Sequence, residues 1–322
     1  MNAGDRRRRP DILFLLGPTA SGKTGLAVEL VKQRNAEIVS VDSAMVYRGM
    51  DIGTAKPDAD TLAVAPHALI DIRDPAEPYS AAEFRRDALV EIERIIAAGR
   101  VPLLTGGTSL YFRALENGLS DLPPRDDGLR ARLTAQANAI GWTAMHTRLA
   151  AIDPASAARI HRNDAQRIQR ALEIHALTGR TPTELHDKDR ISANQSRLPW
   201  SIAKLVVAPA SRESLHERIA RRFQIMMDDG FHHEVEKLYA RPDLNLELPA
   251  IRAVGYRQLW QVLDGTLGYD AGVEKSIFAS RQLAKRQLTW LRSLDNAQWF
   301  DSDDGALEEK ALGHVDALLA LP

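Results

Sequence analysis

Residues 17–24 read GPTASGKT and match the phosphate-binding P-loop pattern in full. They follow a short apolar run and precede a helix-forming stretch, which is the context that this pattern requires. Backbone amides of such a loop and of the following helix converge on phosphate oxygens, while Lys23 adds a mobile charge and the Thr24 hydroxyl is placed to ligate Mg²⁺. The pattern predicts a site for a di- or triphosphate. Its predicted ligands are Gly17, Thr19, Ala20, Ser21, Gly22, Lys23 and Thr24.

The acidic residue best placed to act with this loop is Asp42, which follows the apolar run 37–41. A phosphoryl-transfer P-loop protein is expected to carry an aspartate at the end of another apolar strand. Here the run 101–105 leads instead into two glycines and Thr108, with no carboxylate. Ligands of open α/β sheets bind beyond the carboxyl ends of the strands. We therefore expect Asp42 and Thr108 to face the same crevice as Lys23, although Asp42 could also simply cap the turn that follows it.

The elements that must position these residues alternate in type over the first hundred residues, as in a parallel sheet with crossover helices. The predicted strands lie at 12–16, 37–41, 68–72, 101–105 and 202–208, and the first predicted helices at 22–34 and 81–98. After a proline-containing linker at 122–124, helix-forming stretches follow at 128–140, 142–152, 154–160 and 164–178. An irregular stretch at 187–200 ends this block, and helices fill most of the chain beyond residue 208.

This pattern predicts an α/β fold, with a P-loop-type parallel sheet core flanked by helices and an all-helical insertion domain. We expect the core to comprise residues 1–122 and 200–322, and the insertion domain to comprise residues 123–199. The length of 322 residues agrees with two domains at roughly 150 residues each.

The composition excludes several classes of protein. The chain has no cysteine, which rules out disulfides, thiolate zinc sites and cysteine nucleophiles. No apolar run approaches the roughly 18 residues of a membrane span, and the opening MNAGDRRRRP lacks a secretory signal. The net charge of −1 is unlike that of a protein that coats nucleic acid, but it leaves room for a local basic groove. We expect a cytoplasmic, monomeric enzyme with no membrane association and no obligate protein partner.

A helix predicted to start near Ser211 carries a second group of cations. Arg218 and Arg222 are four residues apart and share one face, and a bidentate guanidinium from either could close over a diphosphate. Arg221 is an alternative ligand, and the spacing also fits an ordinary solvated face. By contrast, the histidines at 67, 161, 232 and 233 form no metal-ligand pattern and are interpreted as structural or surface residues.

An ordered series of motifs over roughly residues 12–290 resembles the tRNA dimethylallyltransferase family. After the P-loop come DSAMVY at 42–47, MDIGTAKP at 50–57, HALID at 67–71, GGTSLY at 106–111, NDAQR at 163–167, VGYRQ at 254–258 and RQLAKRQ at 281–287. One departure is Met45, where many relatives carry glutamine. The resemblance implies transfer of a dimethylallyl group from its diphosphate to N6 of the adenosine on the 3′ side of the anticodon, in tRNAs that read codons beginning with U.

The resemblance also implies roles for individual residues. Lys23, and Mg²⁺ held by Thr24, would stabilise the departing diphosphate, and Asp42 would accept a hydrogen from the adenine amine. Thr108 would hydrogen-bond the base or the diphosphate. The tRNA-binding residues that it implies are Asp42, Ser43, Ala44, Met45, Thr108, Gln166, Arg167, Arg170, Arg281, Lys285 and Arg286.

Two predicted helices carry the basic residues of this RNA-binding set. Gln166, Arg167 and Arg170 share one side of the helix 164–178. Arg281, Lys285 and Arg292 share a face of a later helix, opposite Leu283, Trp290 and Leu294. Together they could clamp an anticodon stem-loop through its phosphates, with the target adenine turned out of the loop. The run Arg6–Arg9 could add loose phosphate attraction, although a disordered tail is the better interpretation.

Two other functions fit the same residues. In a small-molecule or nucleoside kinase, Asp42 would activate a substrate hydroxyl and the P-loop would hold ATP. In a noncatalytic RNA-binding module, the P-loop would be no more than an anion site.

Overall fold

Six strands pair in one parallel sheet in the computed structural model, which describes residues 9–119, 122–185 and 198–321. From one edge to the other the strand order is β3-β2-β4-β1-β5-β6. The strands are β1 (Ile12–Leu16), β2 (Ala36–Val41), β3 (His67–Ala68), β4 (Val101–Gly106), β5 (Ile202–Ala208) and β6 (Ala297–Asp301). Strands β4 and β1 are the two central strands, and β1 pairs with β4 on one side and β5 on the other.

Within the described ranges the helices are α1 (Lys23–Arg34), α2 (Ala59–Val64), α3 (Ala81–Ala97), α4 (Ser109–Asn117), α5 (Asp127–Ile140), α6 (Trp142–Ile152), α7 (Pro154–Arg159), α8 (Ala165–Thr178), α9 (Arg212–Asp228), α10 (Phe231–Tyr239), α11 (Tyr256–Leu263), α12 (Tyr269–Leu291) and α13 (Leu307–Leu319). Helices α1 and α13 pack on one face of the sheet, and α3 and α4 pack on the other. The prediction of a parallel sheet core flanked by helices is confirmed.

Successive side chains of β1 point to opposite faces of the sheet, and both faces are buried under other elements. Leu13 and Leu15 belong to one core, which they share with α1 and α13. Phe14 and Leu16 belong to a second core, which includes Phe84 of α3. All five residues of β1 are buried, as expected for a central strand that is covered on both sides.

The chain forms two compact units, Met1–Leu115 with Leu198–Pro322, and Glu116–Arg197. The second unit contains helices α5 to α8, which pack around a core that includes Leu133, Met145, Leu149 and Leu172. It has no strand among its described residues.

A buried ion network stabilises this second unit. The side chain of Glu173 has no exposed surface, and it accepts bidentate hydrogen bonds from Arg130, both at 2.9 Å. Arg170 and the backbone N–H of Asp126 donate to the same carboxylate, at 2.8 and 2.9 Å. Burial by itself raises the pKa of Glu173, but these hydrogen bonds outweigh it and lower the pKa to about 2.

Two edges of the sheet differ from the sequence prediction. The strand predicted at 68–72 is wrong in extent, since β3 ends at Ala68. Leu69 and Asp71 adopt φ of 64° and 54°, which an extended strand cannot accommodate. At the other edge, β6 was missed because only two of its five residues, Trp299 and Phe300, are large and apolar.

Some expectations concern residues outside the described part of the chain. These are positions 187–197 of the irregular stretch, and Arg6 to Arg8 of the basic run. None of the helices in the described ranges is both long enough and apolar enough to cross a membrane.

The network around Glu173 generates a prediction about stability and pH. Glu173→Gln should lower the free energy of unfolding by roughly 2 kcal/mol at pH 7, because a buried charge-assisted network loses its anion. The folded-state pKa lies below the ordinary value of 4.5, so this contribution is complete above pH 4.5 and is lost as pH falls toward 2. Urea denaturation of both proteins between pH 7 and pH 3 measures the difference.

Asp127→Asn is the matched control, because the Asp127 carboxylate is exposed and pairs with an exposed arginine. It should change stability by less than about 0.5 kcal/mol. A Glu173→Gln deficit that stays constant down to pH 3 would contradict the proposed network.

Candidate active site

The P-loop connects β1 to α1 and leaves the start of that helix without a side-chain cap. Gly22 adopts φ of 83° before the first turn, so the loop can bring its amides around toward an anion. Gly17 is required by close approach, since a Cβ there would lie 2.4 Å from the backbone oxygen of Val207. The uncapped N–H groups and the positive end of the helix dipole therefore remain available to phosphate oxygens.

Two cations lie beside this loop. The Lys23 ammonium approaches the backbone oxygen of Pro18 at 3.5 Å, and Arg222 Nη2 donates to the Thr19 hydroxyl at 2.8 Å. Burial and the Arg222 charge lower the pKa of Lys23 to about 8, partly opposed by the Asp42 carboxylate. Burial likewise lowers the pKa of Arg222. Two cations crowded into a partly desolvated site create a strong local preference for an anion.

Asp42 lies at the carboxyl end of β2, where its carboxylate has two different surroundings. Oδ1 accepts hydrogen bonds from the backbone N–H groups of Ala44 and Met45, at 2.8 and 3.3 Å. The turn-capping interpretation therefore holds for this oxygen. Oδ2 has no hydrogen-bond partner among the described residues. The cap fixes the carboxylate in place while leaving one oxygen able to accept a proton.

Thr108 connects the ends of β2 and β4. Its hydroxyl accepts from the backbone N–H of Ser43 at 3.1 Å and donates to the Ser43 hydroxyl at 3.3 Å. Its own backbone N–H donates to the Val41 oxygen at 3.3 Å. Thr108 therefore positions the segment that carries Asp42.

These groups line a single cavity of about 470 Å³. Lys23, Thr24 and Arg222 line it together with Asp42 and Thr108. Its wall also includes apolar side chains from α9, α11 and α12, among them Ile219, Phe223, Met226, Tyr256 and Leu283. The cavity thus combines an anion-binding region, a carboxylate and an apolar surface.

Gln287 holds two sides of this cavity together, and its role was missed from the sequence. Its Oε1 accepts from the backbone N–H of Thr19, and its Nε2 donates to the backbone oxygen of Gly107, each at 2.9 Å. A Cβ on Gly107 would lie 2.3 Å from this amide, so the glycine permits the contact. The only sequence signal was its place in the motif at 281–287.

Glu234 anchors the backbone of another part of the cavity wall, and the sequence did not predict this role. Its carboxylate accepts from the consecutive backbone N–H groups of residues 51, 52 and 53, at 2.9, 2.7 and 3.1 Å. The Tyr256 hydroxyl donates to it at 2.5 Å, and burial raises the pKa of that hydroxyl well above its ordinary value. A Cβ on Gly53 would lie 2.0 Å from the ring of Phe231, so the glycine allows this backbone segment to pack directly against that ring.

The structure separates the arginines that the sequence grouped together. Arg222 lies at the P-loop, whereas Arg218 donates to Ser302 and forms an ion pair with Asp303. Arg218 is therefore removed from the candidate diphosphate ligands, because its guanidinium is held by residues that follow the edge strand β6. Arg221 is exposed and is not among the residues that line the cavity.

The basic residues that were predicted to bind tRNA from α12 line two different cavities, although the predicted face of Arg281, Lys285 and Arg292 stays together. Arg286 lines the cavity described above, together with Ser43, Ala44 and Met45. Arg281, Lys285 and Arg292 line a second cavity. Leu294 lies beyond the helix, which ends at Leu291, and Leu283 faces the first cavity rather than a buried core.

In the helical unit, the three predicted RNA-binding residues differ in their freedom to bind. Gln166 and Arg167 are exposed, and Arg167 makes a loose ion pair with Asp164 at 3.4 Å. Arg170 is held by Glu173 and by the backbone oxygen of Pro123, at 2.8 and 2.7 Å. The guanidinium of Arg170 therefore serves the internal network of this unit.

Two other polar groups in the first cavity were not predicted. His67 lines the cavity, and burial lowers the pKa of its ring. The hydroxyl of Thr105 is buried and has no hydrogen-bond partner within the described ranges. Both could contact a ligand.

No group of three or more His, Asp or Glu side chains in the described part of the chain could hold a metal ion by itself. The cavity nevertheless offers the Thr24 hydroxyl and the Asp42 carboxylate, which are hard oxygen donors. Mg²⁺ is commonly held by one or two protein oxygens together with substrate phosphates. These residues therefore fit a Mg²⁺ ion that enters with a diphosphate.

Comparison with known proteins points to one family. The model of the IPP transferase family matches residues 45–294. A relative from Thioalkalivibrio sulfidiphilus, named tRNA dimethylallyltransferase, is 57% identical over 314 residues, covering 97% of each chain.

Solved structures agree with this family. The tRNA isopentenylpyrophosphate transferase of Bacillus halodurans is 36% identical, with a TM-score of 0.68 over 95% of this chain and 97% of its own. That of Staphylococcus epidermidis is 32% identical, also with a TM-score of 0.68, over 95% and 98%. A eukaryotic dimethylallyltransferase acting on tRNA, at 23% identity, shares the fold with a TM-score of 0.76 over 94% and 77%.

Protonation of Lys23 generates a prediction about anion binding. Below pH 8 the ammonium is charged, and it loses its proton in the free protein as pH rises through about 8. At pH 7, Lys23→Ala should weaken binding of Mg²⁺-pyrophosphate roughly 10-fold or more, because a charge-assisted hydrogen bond is lost. This ratio should shrink between pH 7 and pH 9, and proton uptake on binding near pH 8 should be greater for the wild type.

Isothermal titration calorimetry in buffers of different ionisation enthalpy measures both quantities. The variant corrects for titration of pyrophosphate itself. A ratio that is unchanged up to pH 9 would contradict the assignment of this pKa to Lys23.

The bridge made by Gln287 generates a second prediction. Gln287→Leu keeps the side-chain volume but removes both hydrogen bonds, so pyrophosphate affinity should fall roughly 5- to 10-fold, as expected for two neutral hydrogen bonds. Gln282→Leu on the same helix is the control, because Gln282 is not among the residues that line this cavity. Equal affinities for the two variants would show that the bridge does not organise the P-loop.

Proposed function

The chain belongs to the IPP transferase family, and on that premise we propose that it transfers a dimethylallyl group from dimethylallyl diphosphate to tRNA. The acceptor that we propose is N6 of the adenosine on the 3′ side of the anticodon, in tRNAs that read codons beginning with U. The observation that carries the proposal is the single cavity lined by the P-loop cations and by Asp42. A tRNA-modifying enzyme acts where tRNA is found, and we place the reaction in the cytoplasm.

The anion-binding region of the cavity would hold the leaving group. As the allylic C–O bond breaks, positive charge is delocalised over the departing carbon skeleton, and negative charge accumulates on the diphosphate. The P-loop amides, Lys23 and Arg222 are fixed in place before that charge develops, and such preorganised electrostatic stabilisation is usually the largest catalytic contribution. Mg²⁺, held through Thr24, would neutralise further charge on the diphosphate oxygens.

Asp42 would accept a proton from the nucleophile, which is the adenine amine. The lone pair of the adenine amine is delocalised into the ring, so the amine is a poor nucleophile until it begins to lose a proton. The uncapped oxygen of Asp42 accepts an N6 hydrogen, the new N6–carbon bond forms as the C–O bond breaks, and the proton passes to the carboxylate. Diphosphate leaves with the electron pair of the broken bond.

The apolar wall supplies a surface for the isoprenoid tail. Phe223, Met226 and Tyr256 lie on α9 and α11 within the same cavity as the P-loop cations. Glu234 and Tyr256 fix the backbone at 51–53, so the wall keeps its shape when the substrate arrives. A dry wall also protects the allylic carbon from attack by water.

Recognition of tRNA requires that the target base leave the stack. An adenine inside the anticodon loop cannot reach a carboxylate at the base of a cavity, so the loop must turn it out, at a cost of a few kcal/mol. Ser43, Ala44, Met45 and Thr108 line the cavity near Asp42 and are the proposed contacts to the turned-out base. The proposed contacts to the anticodon stem-loop are Arg286, in the unit that contains the sheet, and the exposed residues Gln166 and Arg167 in the helical unit.

An isosteric substitution separates the two roles of Asp42. Asp42→Asn keeps a side-chain oxygen that can cap the turn but removes the proton acceptor. With dimethylallyl diphosphate, Mg²⁺ and unmodified tRNA, the wild type should form N6-dimethylallyladenosine. The variant should react at least about 100-fold more slowly, with tRNA affinity within roughly threefold of normal. Nucleoside mass spectrometry and RNA binding measure the two effects.

Asp58→Asn is the matched control, because Asp58 caps α2 through Thr61 and is not among the cavity-lining residues. It should leave the rate unchanged. Wild-type protein that binds tRNA but forms no prenylated adenosine would refute the proposed function.

A further inference from the structure

A second cavity, also of about 470 Å³, opens at the carboxyl ends of β5 and β6. Helix α12 separates it from the first cavity. Ser280, Leu283 and Arg286 line the first cavity, whereas Arg281, Ala284 and Lys285 line the second. The two cavities therefore lie against opposite sides of one helix, and the transfer reaction proposed above leaves the second one unused.

This second cavity carries an excess of positive charge, because four cations and one carboxylate are among the residues that line it. Arg212, Arg281, Lys285 and Arg292 line it, and none of them forms an ion pair with a described residue. The Nε atom of Arg281 is buried and has no hydrogen-bond partner within the described ranges.

The other titratable groups of the cavity do not balance this charge. The carboxylate of Asp301 accepts from the backbone N–H groups of Ala210 and Asp303, both on Oδ1. Burial, and then the charges of Arg281 and Arg212, lower the pKa of His216, so this ring adds no positive charge of its own at neutral pH. The cavity is therefore suited to an anion.

The rest of the lining is apolar and aromatic. Leu215, Ala284 and Leu288 form a packed surface between α9 and α12. Trp299, on the edge strand β6, is 39% exposed and lines the same cavity. Cations next to an exposed indole and an aliphatic surface match a ligand that joins a flat aromatic ring to a phosphate. Proteins that bind single-stranded nucleic acid use this combination.

We propose that the second cavity binds one unpaired nucleotide, with its base against Trp299 and its phosphate on Arg281 and Lys285. The proposal rests on the proposed function, since tRNA is the substrate that brings unpaired nucleotides to this chain. The same chemistry is offered by a free mononucleotide. A nucleotide bound here would hold the RNA on one side of α12 while the target adenine occupies the cavity on the other side.

Substitution of Trp299 tests the proposal directly. Trp299→Ala should weaken binding of a fluorescent anticodon stem-loop about 10-fold, within the range for loss of one base–aromatic stack, and Trp299→Phe should restore most of the affinity. Phe278→Ala is the matched control, because Phe278 is an aromatic residue of α12 that is 61% exposed and not among the residues that line either cavity. It should leave RNA binding unchanged.

Lys285→Glu is the second variant, because Lys285 is exposed and its substitution does not disturb packing. It should weaken RNA binding by a similar factor and make that binding less dependent on salt. Thermal denaturation of each variant shows whether the fold is retained. The Lys285 result applies even where Trp299→Ala fails to fold.

Adenosine and uridine monophosphates distinguish the two sources of the ligand. The first cavity is saturated with Mg²⁺-pyrophosphate, and the nucleotides are then titrated into wild type and Trp299→Ala. Binding that is lost in the variant would assign the cavity to free nucleotides as well as RNA. RNA binding that depends on Trp299, without binding of mononucleotides, would assign it to RNA alone.

If Trp299→Ala and Lys285→Glu both leave the affinities for RNA and for mononucleotides unchanged, the proposal is overturned. Prenyl transfer to tRNA by the wild type is measured in parallel. Its absence would refute the proposed function, whereas the response of RNA binding to Trp299 and Lys285 decides the present proposal alone.

Discussion

Crowding of Lys23 and Arg222 beside one loop is the electrostatic constraint on which the cavity depends. Burial disfavours the charged form of both side chains and lowers both pKa values, and the Arg222 charge adds to this effect at Lys23, so the pKa of Lys23 falls to about 8. A bound diphosphate relieves both costs at once, and it relieves them further as it gains charge during bond cleavage. In the function that we propose, the P-loop holds a leaving group. The Asp42 carboxylate opposes these shifts, because its negative charge raises the pKa of both cations.

The parallel sheet brings together the groups that we propose take part in the reaction, and hydrogen bonds from distant residues fix their positions. The P-loop follows β1, Asp42 follows β2 and Thr108 follows β4, so all three lie at the carboxyl ends of the parallel strands. Gln287 joins the first and third of these segments from α12, while Glu234 anchors the wall at 51–53 from α10. Both contacts are side chain to backbone, and they therefore constrain the path of the chain as well as the side chains on it.

Local sequence patterns were sufficient to predict those parts of this cavity that depend on a single segment of the chain or on a general rule of protein folds. The P-loop, the strand before it and the position of Asp42 at a strand end are of this kind, and the series of motifs identified the family. Arg218 and Arg222 could not be distinguished, because helical spacing places both on one face, and only the packing of α9 decides which meets Thr19. Gln287 lies 268 residues from Thr19, and no local pattern reports a bridge of that length. The left-handed backbone conformation at Leu69 and Asp71 could not be predicted either, since neither residue is a glycine.

The most direct test of this account is a crystal structure of the protein with a nonreactive dimethylallyl diphosphate analogue and an anticodon stem-loop. We expect the diphosphate on the P-loop amides, Lys23 and Arg222, and the exocyclic amine of the turned-out adenine within hydrogen-bond distance of Asp42, with the allylic carbon facing that amine. A complex in which the diphosphate and the adenine occupy separate cavities, or in which another group receives the amine hydrogen, would contradict it.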